Sequence, residues 1–324
     1  MNVDLSPILL DVTLRDGGYF NDHSWTTYEA ESIVRAVGAA GIPYAEIGYL
    51  RGTHHPQRPT ASCPPAYLDA LATVTGRPDL AVMVRPGEVP VERLAELPDR
   101  GVAMVRVLVM GGSVEAAEPY VAAARAAGLD VAMNLTRVSE RDPEGIAVAV
   151  KACANAGAQI IYLADSNGSL DPDSVSERVG AAVSASPVPV GFHAHDNLGL
   201  AFINATTALA AGATALDASI AGIGKGGGNL RLEVIVAHLI VRHGARLRLD
   251  PIAADRTTLA TQLRMIADGG SKTVVTGLLD VNMDGTAHFS DMVAAEGLDA
   301  TILALTGRGR PFAELTNDDR GGDE

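Results

Sequence analysis

The chain has 324 residues, of which 47% are hydrophobic and 20% charged, and its formal net charge at pH 7 is −14. This composition is too apolar for a disordered chain, and the acidic balance disfavours nucleic acid and anionic membranes as partners. Two cysteines cannot form a disulfide framework, and no basic segment precedes an apolar one at the N-terminus, so we expect a cytoplasmic protein without a signal peptide.

Short apolar runs recur at a steady interval along the first three quarters of the chain and predict eight β-strands. Their nearly continuous hydrophobicity is typical of parallel strands that are covered on both faces. In chain order the predicted strands are Ile8–Val12, Tyr44–Gly48, Leu80–Val84, Met104–Val109, Asp130–Asn134, Gln159–Leu163, Val188–His193 and Ala215–Ile220.

Ala-rich segments with helical spacing separate these runs, and several begin at an Asp-Pro pair or end at glycine, the usual start and stop signals of helices. The predicted helices are Thr26–Ala40, Pro65–Thr75, Val89–Leu97, Val114–Ala127, Pro143–Ala156, Pro172–Ser184, Leu198–Ala211 and Leu230–His243. The uncharged stretch 198–216 is long enough to resemble a membrane span, but its polar residues favour a buried helix followed by a strand.

Eight strands, each followed by a helix, predict a closed (β/α)8 TIM barrel over residues 1–245. An open doubly wound sheet is the alternative, although it would normally have fewer strands and a Gly-rich turn after the first one. Residues 246–316 are predicted to form a short C-terminal helical extension, with helices at Arg256–Ile266 and within Phe289–Leu305. Residues 317–324 form a polar tail.

Polar residues at three predicted strand ends are candidates for a metal site, because barrels of this kind carry their catalytic residues there. His193 and His195 are two residues apart and therefore face the same side of an extended strand. Together with Asp16 after the first strand and Asn229 after the eighth, they form a mixed nitrogen and oxygen set that suits Mn²⁺, Mg²⁺ or Co²⁺. The Gly-rich loop 222–229 could also cradle an anion with its backbone amides.

These residues resemble the metal-dependent barrels of the DRE-TIM metallolyase superfamily. The resemblance rests on Thr13-Leu14-Arg15-Asp16-Gly17, on His193-x-His195-Asp196-Asn197-x-Gly199-Leu200-Ala201, and on the loop 224–229 leading into Leu232-Glu233-Val234. It implies that Asp16, His193 and His195 are metal ligands, that Asn229 is a further ligand or a residue that contacts the ligands, and that Arg15 is the catalytic cation which stabilises an enolate. It also implies substrate-side roles for Glu46, which can orient Arg15, and for Ser166, and Asn134 is a further substrate-binding candidate.

Within the superfamily, Gly228-Asn229-x-x-Leu232-Glu233-Val234 is most similar to the pyruvate aldolases of the 4-hydroxy-2-oxovalerate aldolase type. The implied function is that of a divalent-metal-dependent aldolase, which cleaves or forms a 4-hydroxy-2-oxo acid through a metal-bound pyruvate enolate. Its substrates would be a small 2-oxo acid and an aldehyde, and the resemblance further implies a homodimer and an aldehyde dehydrogenase partner.

Two other functions remain open. One is a synthase that condenses an acyl-CoA with a 2-oxo acid, although such synthases usually carry Glu-Gln where this chain has Gly18-Tyr19. The other is a barrel without catalytic activity, which the complete set of metal-binding candidates disfavours.

The general acid or base departs from the pattern of the aldolases. They carry a histidine, the proposed base, three residues after the motif aspartate, where this chain has Tyr19. They also carry a tyrosine in the C-terminal helical region, where this chain aligns with Asn282. His23 lies on the same loop as Tyr19, and a histidine suits proton transfer at neutral pH. Tyr19 and His23 are therefore equal candidates.

Overall fold

The computed structural model describes residues 7–55, 57–111, 113–252, 275–277, 279–282, 285–297, 300–301 and 304–305. Within these residues, eight parallel strands form a closed barrel in chain order, and the eighth strand pairs with the first. The predicted (β/α)8 fold is therefore confirmed. The strands are β1 Ile8–Asp11, β2 Tyr44–Leu50, β3 Asp79–Val84, β4 Val102–Val109, β5 Asp130–Leu135, β6 Ile160–Asp165, β7 Val190–Ala194 and β8 Ala215–Ala218.

Helices connect the strands, and two of them begin at the Asp-Pro pairs that predict a helix start. The side chains of Asp142 and Asp171 each accept a hydrogen bond from the backbone three residues later, which caps α5 and α6. The α-helices are α1 Thr27–Ala39, α2 Pro59–Ser62, α3 Pro65–Ala72, α4 Glu118–Ala126, α5 Pro143–Asn155, α6 Pro172–Ala185, α7 Ala201–Ala210 and α8 Leu232–His243.

The uncharged stretch 198–216 contains α7 and the beginning of β8, as predicted. Among the residues that the structure describes, no helix has both the length and the hydropathy needed to cross a membrane.

The connection between β3 and β4 differs from the prediction, because the segment Val89–Leu97 does not form an α-helix. Two short 3₁₀ helices, Val91–Glu96 and Pro98–Arg100, take its place. Pro90 and Pro98 bound the first of them, and proline both lacks an N–H donor and restricts the residue before it. A 3₁₀ helix is stable over such a short length because it closes its hydrogen bonds within three residues.

The barrel interior is apolar towards the amino ends of the strands and polar towards their carboxyl ends. Its apolar cluster consists of Leu10, Val12, Ala81, Met104, Ala132, Ile160, Tyr162 and Ala215. Alternate residues of a strand point to the same side, so the residue two positions after an interior one is also interior. On β4 this residue is Arg106 and on β8 it is Asp217, and both are fully buried. A buried charged layer therefore lies beneath the mouth of the barrel.

The C-terminal extension is described in part. Helix α9, Thr286–Glu296, covers the first half of the predicted segment Phe289–Leu305. The predicted helix Arg256–Ile266 and the tail 317–324 lie outside the described residues.

Asp280 connects this extension to the barrel. Its Oδ1 accepts hydrogen bonds from Ser139 Oγ at 2.8 Å, from Asn167 Nδ2 at 2.7 Å and from Ser169 Oγ at 2.5 Å. The three donors belong to the loops that follow β5 and β6, so the extension contacts the mouth of the barrel.

Candidate active site

The carboxyl ends of the strands surround a cavity of about 120 Å³. Its described lining contains four cationic side chains but a single carboxylate, that of Asp16, so the cavity is locally positive in a chain of net charge −14. Such a cavity favours an anionic ligand. It is lined by Arg15, Asp16, Tyr19, Tyr49, Met83, Arg85, Leu108, Met110, Asn134, Thr136, Arg137, Ala164, Ser166, His193, His195 and Lys225.

Three of the lining residues form a candidate metal centre. Asp16, His193 and His195 are buried, and one ligand atom of each lies within 4.8 Å of the others. The strands explain this arrangement. His193 is on β7 and His195 follows it directly, while Asp16 is on the loop after β1, which is separated from β7 only by β8.

Hydrogen bonds fix how the two imidazoles face each other. His193 Nδ1 lies 3.0 Å from Asp217 Oδ2, and His195 Nδ1 lies 3.1 Å from the carbonyl oxygen of Gly228. Both partners are acceptors, so each Nδ1 donates a proton to its partner and the two Nε2 atoms face each other. The two Nε2 atoms lie 3.3 Å apart. This arrangement suits coordination of a cation by both Nε2 atoms, because a metal-binding histidine ordinarily donates its other ring N–H to a carboxylate or a backbone carbonyl.

The charge states of the cluster suit a cation as well. Burial lowers the pKa of His195 to about 4, against the opposing effect of Asp16, so this imidazole is neutral at pH 7. Burial alone would raise the pKa of Asp16, but Arg15, the two histidines and the hydrogen bond from Asn229 together outweigh it and hold the pKa well below its ordinary value. A neutral imidazole and an ionised carboxylate are the forms that bind metals.

Asn229 adds an amide oxygen beside the cluster. Its Nδ2 donates to Asp16 Oδ2 at 2.8 Å and to the carbonyl of Ile223 at 2.9 Å. Its Oδ1 is buried and has no hydrogen-bond partner among the described residues. An unsatisfied buried oxygen costs free energy, and a cation bound next to Asp16 would satisfy it. The residues present therefore fit the divalent cation that the sequence predicts.

The Gly-rich loop after β8 approaches this cluster closely. A Cβ atom at Gly224 would lie 2.3 Å from Asn229 Nδ2 and 2.8 Å from Asp16 Oδ2, so only glycine fits there. The amide of Gly227 donates to Asn197 Oδ1 at 2.9 Å. This amide is occupied by a protein acceptor, so the loop positions Asn229 rather than presenting the expected anion cradle at this point.

Arg15 lies in the cavity next to the metal centre. Its Nε is 2.7 Å from Glu46 Oε2, and its Nη1 is 2.6 Å from Asp16 Oδ1. Burial alone would lower the pKa of Arg15, but Glu46, Asp16 and Tyr49 together outweigh it and hold the pKa well above its ordinary value. Glu46 is fully buried and does not line the cavity. The structure thus places Glu46 where it orients Arg15 and not in the space open to a substrate.

A second buried arginine connects Glu46 to the metal centre. Arg106 Nη1 lies 3.0 Å from Glu46 Oε2, and its Nη2 lies 2.7 Å from Asp217 Oδ2, the same oxygen that accepts from His193. The guanidinium also stacks 4.3 Å from the centre of the Tyr162 ring. A continuous chain of buried charges therefore runs from Glu46, which binds Arg15, through Arg106 to Asp217, which binds His193.

Arg106 and Asp217 are not among the site residues that the sequence motifs predict. A signal was present, because Arg106 is the only charged residue within the apolar strand β4 and lies two positions after the interior residue Met104. Asp217 follows the interior residue Ala215 in the same way. A charged residue at an inward position of a parallel strand requires a partner of opposite charge inside the barrel. Arg106 and Asp217 meet this requirement for each other.

The two acid or base candidates occupy different places. Tyr19 lines the cavity, is 41% exposed, and its hydroxyl lies 3.1 Å from that of Tyr49. His23 is buried, does not line the cavity, and has its Nδ1 3.3 Å from Thr60 Oγ1. Burial lowers the pKa of His23 to about 4, with Arg15 and then Arg51 acting in the same direction. Tyr49, which no sequence motif predicts as a site residue, also lines the cavity.

The remaining candidates lie on or directly after β5 and β6. Asn134 and Ser166 both line it, at the ends of β5 and β6. Asn134 Oδ1 is buried and has no hydrogen-bond partner among the described residues, whereas Ser166 Oγ accepts from the amide of Arg137 at 3.0 Å. Asp165 accepts from the amides of Ser169 and Leu170 and so stabilises its own loop.

The fold and the site together define a class of protein. A (β/α)8 barrel with a buried Asp-His-His cluster and an arginine at the carboxyl ends of its strands is typical of enzymes, and the cluster is a candidate site for a divalent cation. Residues 6–267 match the HMGL-like family, and the chain belongs to this family.

Two relatives and one solved structure illustrate the similarity. The chain is 35% identical over 249 residues to an oxaloacetate decarboxylase of Mycobacterium tuberculosis, covering 76% of this chain and 74% of that protein. It is 34% identical over 245 residues to a 4-hydroxy-2-oxovalerate aldolase of Geobacillus genomosp. 3, covering 75% and 72%. An N-terminal domain from Bacteroides vulgatus superimposes with a TM-score of 0.77 at 26% identity, covering 87% of this chain and 96% of that domain.

Membership of the HMGL-like family confirms the resemblance stated from the sequence motifs, and it confirms the prediction of an enzyme of the lyase class. Both named relatives are lyases of small 2-oxo acids. The family and the Asp-His-His cluster together support a metal-dependent lyase.

Proposed function

We propose that the chain is a divalent-metal-dependent aldolase that cleaves or forms the C3–C4 bond of a 4-hydroxy-2-oxo acid through a pyruvate-type enolate. The observation that carries the proposal is the position of Arg15, whose charge lies in the cavity directly beside the cluster of Asp16, His193 and His195. The 4-hydroxy-2-oxovalerate aldolase relative supports the same reaction class.

Asp16, His193 and His195 would hold the cation, with Asn229 Oδ1 as a fourth donor. When bound, Mn²⁺, Mg²⁺ or Co²⁺ supplies Lewis-acid polarisation of the 2-oxo group. Arg15 places a permanent positive charge beside the oxygen on which negative charge develops as the C3–C4 bond breaks. Because Glu46 holds the guanidinium in place before the reaction, little reorganisation is needed to stabilise the enolate.

Tyr19 is the proton carrier of the proposed reaction, since it lines the cavity and His23 does not. In the direction of bond formation, the Tyr19 hydroxyl gives its proton to the aldehyde oxygen as the new bond forms, and cleavage is the reverse of this step. The Tyr49 hydroxyl, 3.1 Å away, orients it. A hydroxyl group positioned beside the reacting oxygen can act in such a proton transfer.

A substrate panel tests the proposed function. Purified enzyme with added Mn²⁺ is expected to release pyruvate from 4-hydroxy-2-oxo acids and to form aldol products from pyruvate and aldehydes. No pyruvate release and no aldol formation across the panel would contradict the proposal. Release of free CoA from an acyl-CoA and a 2-oxo acid, followed with a thiol reagent, would instead support the condensing synthase. Size measurements of the same sample test the homodimer, and co-purification tests the aldehyde dehydrogenase partner.

Decarboxylation of a 2-oxo dicarboxylate is a second candidate, favoured by Tyr19 and by the Mycobacterium tuberculosis relative. In this reaction the C3–C4 bond breaks, its electron pair forms the C2–C3 double bond of the enolate, and the C4 carboxylate leaves as CO₂. A proton from Tyr19 then goes to C3, and Tyr19 regains a proton from water. No base is needed to remove a hydroxyl proton, which suits a site with a phenol where the aldolases have histidine. Pyruvate formation from oxaloacetate above the rate of free Mn²⁺ would support this candidate.

Replacing Tyr19 with phenylalanine is expected to lower kcat about 100-fold or more, because proton transfer by a positioned side chain contributes about that much. The KM and the Mn²⁺ affinity should stay within about threefold, since the phenol does not hold the substrate carboxylate or the cation. Initial rates of pyruvate release measure kcat and KM, and calorimetric titration measures the Mn²⁺ affinity.

His23→Asn is the matched control, because asparagine tolerates the left-handed backbone of this position, with φ of 57°. We expect its kcat to stay within about fivefold of wild type. A large loss of kcat in His23→Asn together with an active Tyr19→Phe variant would move the proton-carrier role from Tyr19 to His23.

A further inference from the structure

The cavity extends from the metal centre to the opposite side of the barrel. In a closed barrel of eight strands in chain order, β4 and β5 lie opposite β8 and β1. The metal centre lies at β1, β7 and the loop after β8. The far side of the cavity is lined by Arg85 after β3, by Met110 after β4 and by Arg137 after β5. A substrate held at the metal centre by its 2-oxo acid end therefore directs its other end towards Arg85 and Arg137.

Arg85 belongs to a cluster with an excess of positive charge. Its Nη1 lies 3.2 Å from Glu88 Oε1, and Arg51 Nε lies 2.8 Å from Glu88 Oε2. One carboxylate is thus shared by two guanidinium groups, which leaves the cluster with one net positive charge. Glu88 does not line the cavity, whereas Arg85 does.

Arg137 occupies a position that the loop backbone fixes. Its φ is 58°, in the left-handed region, and its amide donates to Ser166 Oγ at 3.0 Å, inside the cavity lining. Its charge also acts on Glu140 of the same loop, which lies outside the lining. Among the described residues that line the cavity, the only carboxylate is that of Asp16, on the metal side.

We propose that Arg85 and Arg137 form a distal anion subsite, which selects a 2-oxo acid that carries a second carboxylate at the far end from its 2-oxo group. The inference rests on the proposed function for the orientation of the 2-oxo acid. It goes further by assigning the residues that select a 2-oxo dicarboxylate over a 2-oxo acid that ends in a methyl group, whichever of the two candidate reactions follows. Guanidinium groups bind carboxylates in a bidentate geometry, and a charged hydrogen bond is stronger than a neutral one.

Binding of an inert probe pair tests the subsite without catalysis. 2-Oxoglutarate carries the second carboxylate, whereas 2-oxopentanoate has a methyl group in its place, and neither has a 4-hydroxyl group that would permit cleavage. Calorimetric titration of the full chain with saturating Mn²⁺ is expected to give at least tenfold tighter binding of 2-oxoglutarate. Equal affinity for the two probes, or binding of neither, would overturn the proposal.

Variants show whether the two arginines produce the preference. In Arg85→Met/Arg137→Met the preference is expected to fall below about twofold, while the affinity for 2-oxopentanoate stays unchanged. Arg125→Met, which removes one positive charge from the exposed face of α4, should retain the wild-type preference. Both arginines are close to the surface, so melting curves near that of wild type are expected. A preference that persists in the double variant would overturn the assignment.

The outcome for the subsite is separate from that for the proposed function. A tenfold preference that depends on Arg85 and Arg137, together with no pyruvate release from any substrate, would retain the subsite and reject the aldolase. Pyruvate release with no preference between the probes would retain the aldolase and reject the subsite.

Discussion

Replacement of Asp16 by asparagine is expected to lower kcat/KM about 1,000-fold or more and to abolish tight Mn²⁺ binding. The substitution keeps the shape of the side chain but removes the only carboxylate of the Asp16, His193 and His195 cluster. It also removes the anion that pairs with Arg15 Nη1 at 2.6 Å. A bound cation that polarises a carbonyl stabilises the transition state by several kcal/mol, and about 4 kcal/mol corresponds to a 1,000-fold change in rate.

Calorimetric Mn²⁺ titration and initial rates of pyruvate release measure the two effects of Asp16→Asn. Wild-type enzyme treated with a chelator should match the variant and should regain activity when Mn²⁺ is returned, which the variant should not do. If the Mn²⁺ affinity of Asp16→Asn stays within threefold of wild type, the assignment of Asp16 as a metal ligand is wrong.

Asp196→Asn is the matched control, since Asp196 lies in the same motif as the two histidines. Its Oδ1 accepts from the amide of Ala201 at 2.9 Å at the start of α7, and an asparagine oxygen can replace it in that bond. We expect its Mn²⁺ affinity and its kcat/KM to stay within about threefold of wild type.

The barrel and most of its mouth were predictable because they depend on local patterns. The strands are short buried runs, and the caps at Asp142 and Asp171 are formed within three residues of the helix starts. His193 and His195 are two positions apart, so the geometry of a strand alone places them on one face. Even the exception, the 3₁₀ connection Val91–Glu96, follows from the two prolines that bound it.

What the sequence left undetermined depends on long-range contacts. The choice between Tyr19 and His23 depends on the path of the loop after β1, where Asp22 and His23 both take left-handed backbone angles. This turn leaves the imidazole of His23 against Thr60 and outside the cavity, while Tyr19 stays within it. No local pattern encodes that difference.

The buried charges under the mouth show the same limit. Arg106 is separated from Glu46 by 60 positions and from Asp217 by 111, so their pairing appears only when the strands close into a barrel. The pairing holds His193 on one side and Arg15 on the other, and this makes Arg106 a positioning residue for the site although it does not line the cavity.

Arg106→Met is accordingly expected to lower the free energy of unfolding by about 3–5 kcal/mol, because it leaves Glu46 and Asp217 buried without their counter-charge. Chemical denaturation measures this loss. The same substitution at Arg100, whose partner Asp69 is largely exposed, should cost at most about 1 kcal/mol.

Stability and positioning are separated by the triple variant Glu46→Gln/Arg106→Met/Asp217→Asn, which removes all three charges. Uncharged residues of similar size often replace a buried ion network with little loss of stability, so the free energy of unfolding should return to within about 2 kcal/mol of wild type. Activity should not return with it. Arg15 would lose its anionic anchor and His193 would lose the carboxylate that fixes its tautomer, and loss of such a partner weakens metal binding by about 10- to 100-fold. Arg106 would be a structural residue alone if the triple variant recovered both its stability and its Mn²⁺ affinity.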